Sequence, residues 1–487
     1  MFPTRIILLE FNELCPSLIH RFMTAGQLPN FQRLHDASLV YTTRAQERAP
    51  YLDPWIQWVT VHTGLNHDRH RIDRLNDGQS CNAKRIWDVV SEHGGTNWIC
   101  GSMSTAYQPG FKGALVPDPW TTKVTPTPDA FLPYFRFVQH NVLESTNARA
   151  SMSTREAIAF ASFMTRHGLS ATTVAWIVRQ LLAERRGGSR WKRAVLLDQL
   201  QFDLFRHHWR RAQPTFSTLF LNSTAHFQHL HWREMEPELF QVQPTAAEIA
   251  EYQSAILFGY QRMDAMLGRV LAMTDAKTTI GLATALSQQP CLAYEQQGGK
   301  SFYRPIDFGR LLAFARVSRY THVAPVMAHQ FHVEFATEEA ARIGCERLAS
   351  LRVAGRPAIT VEQNGRRLFA WCPITIGLDL DATLESGDGE GAGERAGERV
   401  ARERFFAIFY KVEGLKSGMH HPDGLFWIHR PDRAHHVFEQ PVALDLVAPT
   451  LLAELGIAAP PTMLQATVPE RPDSSMRVAR TPRAMAG

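Results

Sequence analysis

Apolar residues along the chain form short strand-like runs that alternate with stretches of helical spacing. Residues 6–11 form a largely apolar run, which suits a strand buried on both faces of a parallel sheet. Helical patterns follow at 16–25 and at 84–93, and the second ends at a pair of glycines before another strand-like run at 96–100. This alternation predicts βαβ units, and therefore an α/β fold with a doubly wound, mostly parallel sheet.

Two segments depart from this pattern and are predicted to be insertions. Residues 130–212 are helix-forming and rich in Arg, which indicates a helical insertion or cap, whereas residues 321–380 show the strand, helix and hairpin patterns of a small α+β subdomain. The remaining organisation is predicted to be an α/β core at 1–129, 213–320 and 405–463, a flexible loop at 381–404 and a disordered tail at 464–487.

The end of the helical insertion is strongly basic. Arg and Lys outnumber Asp and Glu between residues 190 and 211. This pattern is typical of a solvated helix face, but it also fits an electrostatic lid over an anionic substrate or a surface for a partner.

Composition narrows the classes of function. The chain has 487 residues with 52 Lys and Arg against 47 Asp and Glu, a balance too even to indicate nucleic-acid binding. Its six cysteines form no CxxC pair, which argues against a Cys-based zinc site or a disulfide framework. No apolar stretch approaches ~18 residues, so we expect a cytoplasmic protein without a membrane partner. The sequence leaves the oligomeric state open.

Six short motifs occur in a characteristic order. They are LPNFQRL at 28–34, TGLN at 63–66 with His70 and Ile72 after it, IWDVVSEHG at 86–94, LNSTAHFQH at 221–229, SGMHHPDG at 417–424 and APTLLAELG at 448–456. Together they resemble the type I phosphodiesterase/nucleotide pyrophosphatase branch of the alkaline phosphatase superfamily, over about residues 5–125, 214–290 and 405–465. The resemblance implies an alkaline-phosphatase-like fold with its site at the C-terminal ends of the strands.

The resemblance also implies which positions hold metal and nucleophile. Active members use two zinc-like ions and a Thr or Ser nucleophile. Most of the corresponding positions here carry other residues: Asn12 for the first Asp, Pro54 with Asp53 beside it for the nucleophile, Ala225 for the second Asp, and Ala285 and Leu286 for an Asp-His pair. His229 and His420 match the two remaining histidines. A degenerate metal site follows, because amides bind zinc poorly and Ala or Leu cannot coordinate at all.

Three acidic residues near the vacated positions are candidate replacements. Glu10 precedes Asn12 by two residues, so both side chains are expected on one face if the strand extends that far. Glu13 falls in the following turn and could face either way. Asp53 before Pro54 is typical of a helix N-cap, but it could also bind a metal or attack a phosphoryl group. Glu10 could equally pair with a buried Arg or His, and Asn12 could simply close the strand end.

These observations lead to one leading hypothesis and one alternative. The first is a divergent phosphodiesterase- or phosphatase-like hydrolase or transferase that acts on a small phosphoester, nucleotide-type substrate or related anionic ester. Its catalytic candidates are Asp53, Glu10 and Asn12, and its candidate metal ligands are His229, His420 and Asp53. We expect at most one divalent ion, Zn or Mn, and a site without an ion is the other option. The alternative is a catalytically inactive pseudoenzyme that serves as a binding or scaffold protein.

Overall fold

The structure is a computed structural model that describes residues 2–75, 77–121, 123–144, 153–187, 189–326, 329–386, 401–412 and 414–470. Most of the loop predicted at 381–404 and the part of the predicted tail beyond residue 470 lie outside the described residues.

The first part of the core alternates strands and helices as predicted. Its elements are β1 (Arg5–Phe11), α1 (Pro16–Thr24), α2 (Pro29–His35), β2 (Ser38–Arg44), α3 (Pro54–Thr63), α4 (His67–His70), α5 (Ile86–Glu92), β3 (Asn97–Cys100) and β4 (Gly113–Val116). Helix α3 begins with Pro54 and ends at Gly64, whose φ of 62° lies in the left-handed region that glycine adopts without a steric penalty. This helix covers the end of β1 and therefore shapes the site described below.

The helical insertion contains α6 (Leu132–Glu144), α7 (Thr154–Arg166), α8 (Ala171–Arg185) and α9 (Val195–Ala212). Ser153 and Ser170 cap α7 and α8 by accepting hydrogen bonds from backbone N–H groups three residues later. The last helix begins at Val195, after a 3₁₀ turn at Arg190–Ala194. Among the described residues, no helix combines the length and the apolar content needed to cross a bilayer.

The core resumes with β5 (Phe216–Leu221), α10 (Ser223–Met235), α11 (Ala246–Tyr252), α12 (Ala255–Leu271), β6 (Thr278–Ala283) and β7 (Ser287–Pro290). Strand β5 is buried along its whole length, and α10 follows it after only Asn222. The first turn of α10 therefore lies at the C-terminal end of β5, next to the end of β1 with which β5 pairs.

The small subdomain contains β8 (Tyr303–Pro305), α13 (Phe308–Phe314), β9 (Tyr320–Pro325), β10 (Gln330–Phe335), α14 (Glu338–Ala349), β11 (Leu351–Val353), β12 (Arg356–Pro357), β13 (Thr360–Asn364), β14 (Arg367–Trp371), β15 (Thr383–Ser386), β16 (Arg402–Arg404), α15 (Phe405–Ile408) and β17 (Phe409–Lys411). Two four-stranded antiparallel sheets, β13-β14-β10-β9 and β12-β11-β15-β16, share one apolar cluster. That cluster runs from Tyr303 to Phe409 and thus extends beyond the range expected at 321–380 on both sides.

The chain ends its described part with β18 (Gly418–His421), β19 (Asp423–His429), β20 (His436–Val437), β21 (Val442–Ala443) and α16 (Val447–Glu454). The central sheet has nine strands in the order β20-β2-β19-β6-β1-β5-β3-β4, with β21 also paired to β2. All its pairings are parallel except those of β19, which runs antiparallel to β2 and β6.

Both faces of the central sheet are covered by helices. Ile7, Leu9 and Phe11 of β1 belong to one apolar cluster with α1, α2 and α12, whereas Ile6 and Leu8 belong to a second cluster with α3, α5 and α16. The period of two in a strand sends successive side chains to opposite faces, so this division is what a strand buried on both sides requires. The predicted doubly wound, mostly parallel α/β fold with a helical and an α+β insertion is confirmed.

Candidate functional site

Three side chains from different elements converge at the C-terminal ends of the central strands. Glu13 directly follows β1, His229 lies in α10, and His420 lies in β18. Glu13 Oε2 lies 3.1 Å from His229 Nε2 and 3.6 Å from His420 Nε2, and the three potential ligand atoms all lie within 4.8 Å of one another. Ligand atoms about 2.0–2.2 Å from a tetrahedral zinc ion lie about 3.3 Å apart, so this donor set fits a divalent ion.

Backbone carbonyl groups fix the orientation of both imidazoles. His229 Nδ1 donates to Gly418 O at 3.2 Å, and His420 Nδ1 donates to Leu52 O at 2.8 Å. Because a carbonyl oxygen only accepts, each Nδ1 carries a proton and each Nε2 turns toward Glu13. Without an ion, His229 Nε2 also carries a proton and donates it to Glu13, and binding of an ion would displace that proton. Metal-binding histidines are commonly held in this way, with one ring nitrogen donating to the protein and the other free for the ion.

Glu13 is held in place from both sides. Its Oε1 accepts a hydrogen bond from Asn12 Nδ2 at 3.0 Å, its Oε2 accepts one from Gln288 Nε2 at 2.5 Å, and its side chain is nearly fully buried. Burial alone would raise the pKa of Glu13, but the charges of His229 and His420, with the hydrogen bonds from His229 and Gln288, lower this pKa to about 2. The carboxylate is therefore ionised and ready to bind a cation at neutral pH.

The backbone at Glu13 is unusual. Its φ of 59° lies in the left-handed region, which costs a non-glycine residue about 1–2 kcal/mol. Gln228 Nε2 donates to Glu13 O at 2.7 Å and helps to hold this conformation. The turn redirects the chain after β1, so that the side chain of Glu13, rather than that of Asn12, faces the two imidazoles.

Asp53 occupies the N-cap position of α3, but its side chain makes no capping hydrogen bond. Its Oδ1 lies 3.1 Å from His420 Nδ1 instead, on the side of the imidazole opposite to Glu13. Burial lowers the pKa of His420, yet the negative charges of Glu13 and Asp53 outweigh this effect and raise the pKa above its usual value. In the group of potential ligands, the carboxylate is thus Glu13 and not Asp53, the residue selected from the sequence. Asp53 orients His420.

Glu10 does not take part in this group, in contrast to its selection as a catalytic candidate. Its Oε1 lies 2.8 Å from His62 Nε2 of α3, and both side chains are fully buried. The His62 ring packs between Trp58 and Trp87, which leaves no access for a substrate. Of the two roles that the sequence allowed for Glu10, the structure places it in the buried ion pair.

Asn12 has every polar group of its side chain in use. Its Oδ1 accepts from Trp58 Nε1 at 2.8 Å, and its Nδ2 donates to Asn222 Oδ1 at 2.8 Å and to Glu13 Oε1 at 3.0 Å. Asn12 and Glu10 both contact α3, as expected of residues on one face. Asn12 therefore joins the ends of β1 and β5 and positions Glu13, and it has no free group for the catalytic role considered from the sequence.

Apolar packing fills the other positions that the resemblance assigned to metal ligands. Ala225, Ala285 and Leu286 are buried, and Ala285 belongs to the apolar cluster under α3 and α16. A second ion would have no ligand at these residues. Within the described residues, the one other group of three potential ligands is His35, Asp36 and His435, which lies partly exposed beside the start of β2, at the opposite end of the sheet.

Sequence reasoning missed two residues of the site. Gln288 of β7 pairs with His420 of β18 and reaches Glu13, but nothing in its sequence context indicates this role. Lys416 directly precedes the motif at 417–424, a position that could have drawn attention to it. Burial and Lys300 lower the pKa of Lys416, whereas the negative charges of Asp53 and Glu13 oppose this fall. The pKa of Lys416 is thus sensitive to the two carboxylates of the site, Asp53 and Glu13.

A glycine allows β18 to approach α10. A Cβ at Gly418 would lie 2.4 Å from Gln228 O and 2.3 Å from Gln288 Oε1, closer than any side chain can tolerate. The backbone of the same segment is tied to α10, because Ser417 N donates to His229 O at 2.8 Å. The close contact between these two backbones is what brings His229 and His420 together.

A second ionisable pair lies farther along α10. Glu234 Oε2 lies 3.9 Å from His231 Nδ1, and neither atom has a hydrogen-bond partner among the described residues. Burial raises the pKa of Glu234 to about 7 and lowers the pKa of His231 to about 3. His231 is therefore uncharged near neutral pH, whereas Glu234 changes from neutral to ionised across that range, and neither belongs to the potential metal ligands.

Glu234→Gln is expected to stabilise the protein at alkaline pH. The pKa of Glu234 is raised from 4.5 to about 7 on folding, so the stability linked to its neutral form is lost as the pH rises from 4.5 through about 7. Glutamine does not ionise and avoids this loss, so its advantage in free energy of unfolding should grow by about 2 kcal/mol between about pH 5 and pH 8. Urea denaturation of the variant and of the parent protein at both pH values measures this difference in free energy of unfolding. The exposed Glu238→Gln should show no such trend, and an equal trend in both variants would contradict the assignment.

Comparisons with known proteins add a general similarity of shape. No protein-family model matches the chain, and no curated protein matches it significantly. Human ectonucleotide pyrophosphatase/phosphodiesterase 5 is similar at 12% identity with a TM-score of 0.37, covering 94% of this chain and 96% of the other. Phosphonoacetate hydrolase from Sinorhizobium meliloti 1021, solved with phosphonoformate, is similar at 11% identity with a TM-score of 0.38, covering 94% of this chain and 96% of the other. A mutant of the alkaline phosphatase PafA is similar at 10% identity with a TM-score of 0.43, covering 96% of this chain and 98% of the other. Values this low do not transfer an activity.

Proposed function

We propose that this chain is a divergent hydrolase or transferase of the alkaline phosphatase superfamily, acting on a phosphoester or related anionic ester with a single divalent ion. The observation that carries this proposal is the convergence of Glu13, His229 and His420, with both Nε2 atoms turned toward one ionised carboxylate. The six motifs that resemble the superfamily support the choice of substrate class, since His229 and His420 stand at two of its ligand positions.

Each residue of the site has a defined role in this proposal. Glu13, His229 and His420 would hold the ion, and a set of two imidazoles and one carboxylate suits Zn and also Mn. Such an ion supplies Lewis-acid polarisation of the ester or lowers the pKa of a bound water. Asp53 is partly exposed and orients His420, and its carboxylate can act as a nucleophile or a general base. Lys416 can neutralise the negative charge of the bound ester.

One observation favours the alternative of an inactive binding protein. Ala285 and Leu286 are fully buried where the second ion of the superfamily would need an Asp and a His. The amide of Asn12 is hydrogen-bonded to the side chains of Trp58 and Asn222. The chain would then lack the second cation that stabilises the leaving group in a two-metal reaction. Because ionised and imidazole groups persist at the other half of the site, the enzyme remains our proposal.

Metal analysis and an activity screen test the proposal together. After chelation and reloading with Zn or Mn, we expect one bound ion per chain, and the same amount in His35→Ala, which removes the exposed group of ligands. The protein should then hydrolyse at least one of several phosphomonoesters, phosphodiesters, sulfate esters or nucleotide sugars in a metal-dependent manner. Binding of one ion without turnover would favour the inactive alternative. Two ions retained in His35→Ala would contradict the single-metal site.

A further inference from the structure

Helix α8 presents an apolar strip to solvent. Val174, Val178, Leu181 and Leu182 are 42%, 50%, 47% and 47% exposed, values that are high for large apolar side chains. Their spacing of three and four residues places them on one side of the helix. Contiguous apolar strips of this kind generally mark a surface that another molecule covers.

The strip is not a core face turned outward by a loose helix. The start of α8 is fixed to α9, because the buried Asp203 accepts hydrogen bonds from Ser170 N at 2.9 Å and from Thr173 Oγ1 at 2.6 Å. Farther along, the side chain of Gln180 donates to Ser189 O at 2.8 Å. Helix α8 also packs the partly buried Trp176 against the main apolar cluster. It therefore has an inner face already, and the outer apolar strip is additional.

Basic residues are frequent in the sequence around the strip. Between residues 153 and 193 the chain carries eight Arg and Lys against two acidic residues. Glu156 caps α7 through Ser153, and Glu184 pairs with Arg193, so both acidic groups are already bound. Arg179, Arg185 and Arg186 are exposed and make no ion pair with a described residue, which leaves a net positive rim beside the apolar side chains.

We propose that α8 docks on an anionic lipid surface. The apolar strip would enter the boundary between headgroups and acyl chains, and Arg179, Arg185 and Arg186 would contact the anionic headgroups, as amphipathic helices with basic rims do. A helix of this kind lies on a membrane and does not span it. A second copy of the chain is a poorer occupant, because a two-fold contact would bring two basic rims together.

Flotation of the full-length protein with vesicles tests this proposal. Vesicles of phosphatidylcholine with phosphatidylserine should bind the protein, and vesicles of phosphatidylcholine alone should bind it much less. Leu181→Gln with Leu182→Gln should lower the partition coefficient at least about tenfold, since two half-exposed leucines lose their apolar surface. Leu239→Gln is the matched control, because Leu239 is 45% exposed and lies outside the helical insertion. Arg185→Gln with Arg186→Gln should weaken binding to the vesicles that contain phosphatidylserine and leave the weak binding to phosphatidylcholine vesicles unchanged.

Three results would overturn the proposal. The first is no binding to anionic vesicles, and the second is binding that the double leucine variant leaves unchanged. The third is self-association of the parent protein in sedimentation velocity that the double leucine variant abolishes, which would assign the strip to a second copy of the chain. Circular dichroism of each variant verifies that the protein remains folded, and the result is independent of any catalytic activity.

Discussion

Alanine at both His229 and His420 is expected to reduce turnover by at least about 10³-fold and to abolish stoichiometric metal binding. The two Nε2 atoms supply two of the three potential ligands, and one carboxylate alone does not retain a divalent ion. The measurements are the metal content of the purified variant and its steady-state rate on any substrate that the activity screen identifies. Full activity in a folded double variant would exclude these histidines as the site.

This experiment needs a control for stability. The imidazoles offset the negative charge of the buried Glu13, and removal of one partner from a buried ion pair can cost about 3–5 kcal/mol. The triple variant with Glu13→Gln removes that uncompensated charge, so it should unfold at a higher urea concentration than the double variant while remaining inactive. His226→Ala with His421→Ala, at neighbouring positions on the same two elements, should leave metal binding unchanged.

The positions of the two histidines could be predicted because they depend on short motifs in loops at fixed places in the fold. His229 follows β5, and His420 precedes β19, which runs antiparallel to β6, so the C-terminal end of β5 and the N-terminal end of β19 lie at the same edge of the sheet. The doubly wound fold could be predicted for a similar reason, since alternation of apolar runs and helical spacing is a local property.

Glu13, the third potential ligand, could not be predicted in the same way. The side on which Glu13 emerges depends on a left-handed backbone at a non-glycine residue, and the sequence carries no local indication of that conformation. The partner of Asp53 was also hidden, because His420 lies 367 positions later and its contact arises only when β18 is placed beside α3. An Asp before Pro54 is typical of a helix N-cap, yet the side chain of Asp53 contacts His420 and does not cap α3.

Glu10 and Asn12 illustrate a different limit. Periodicity predicted both on one face if the strand reached Asn12. Strand β1 ends at Phe11, although both side chains contact α3, and periodicity could not say what covers that face. Helix α3 supplies His62 and Trp58 at that place, so Glu10 Oε1 and Asn12 Oδ1 find partners inside the protein and neither side chain faces a substrate. Buried polar groups nearly always find such partners. A polar residue at a strand end near a predicted site is therefore weaker evidence for catalysis than its position suggests.

Glu13→Gln is expected to weaken metal binding by at least about 100-fold, because the amide keeps the shape of the side chain but loses the charge that a divalent ion requires and one of the two acceptor oxygens. Glu13→Asp keeps the charge on a shorter side chain and should give an intermediate loss. Calorimetric titration with Zn or Mn of the chelator-treated protein measures both, and turnover should fall in the same order.

Glu10→Gln provides the matched comparison, because it changes an equally buried glutamate three residues earlier. It removes the carboxylate charge from the contact with His62 and should lower the free energy of unfolding by about 1–3 kcal/mol while leaving metal affinity unchanged. The two substitutions thus distinguish an effect on stability from an effect on metal binding, since each glutamate has its own imidazole partners. Metal loss in Glu10→Gln together with normal affinity in Glu13→Gln would reverse the assignment and restore the catalytic candidate first selected from the sequence.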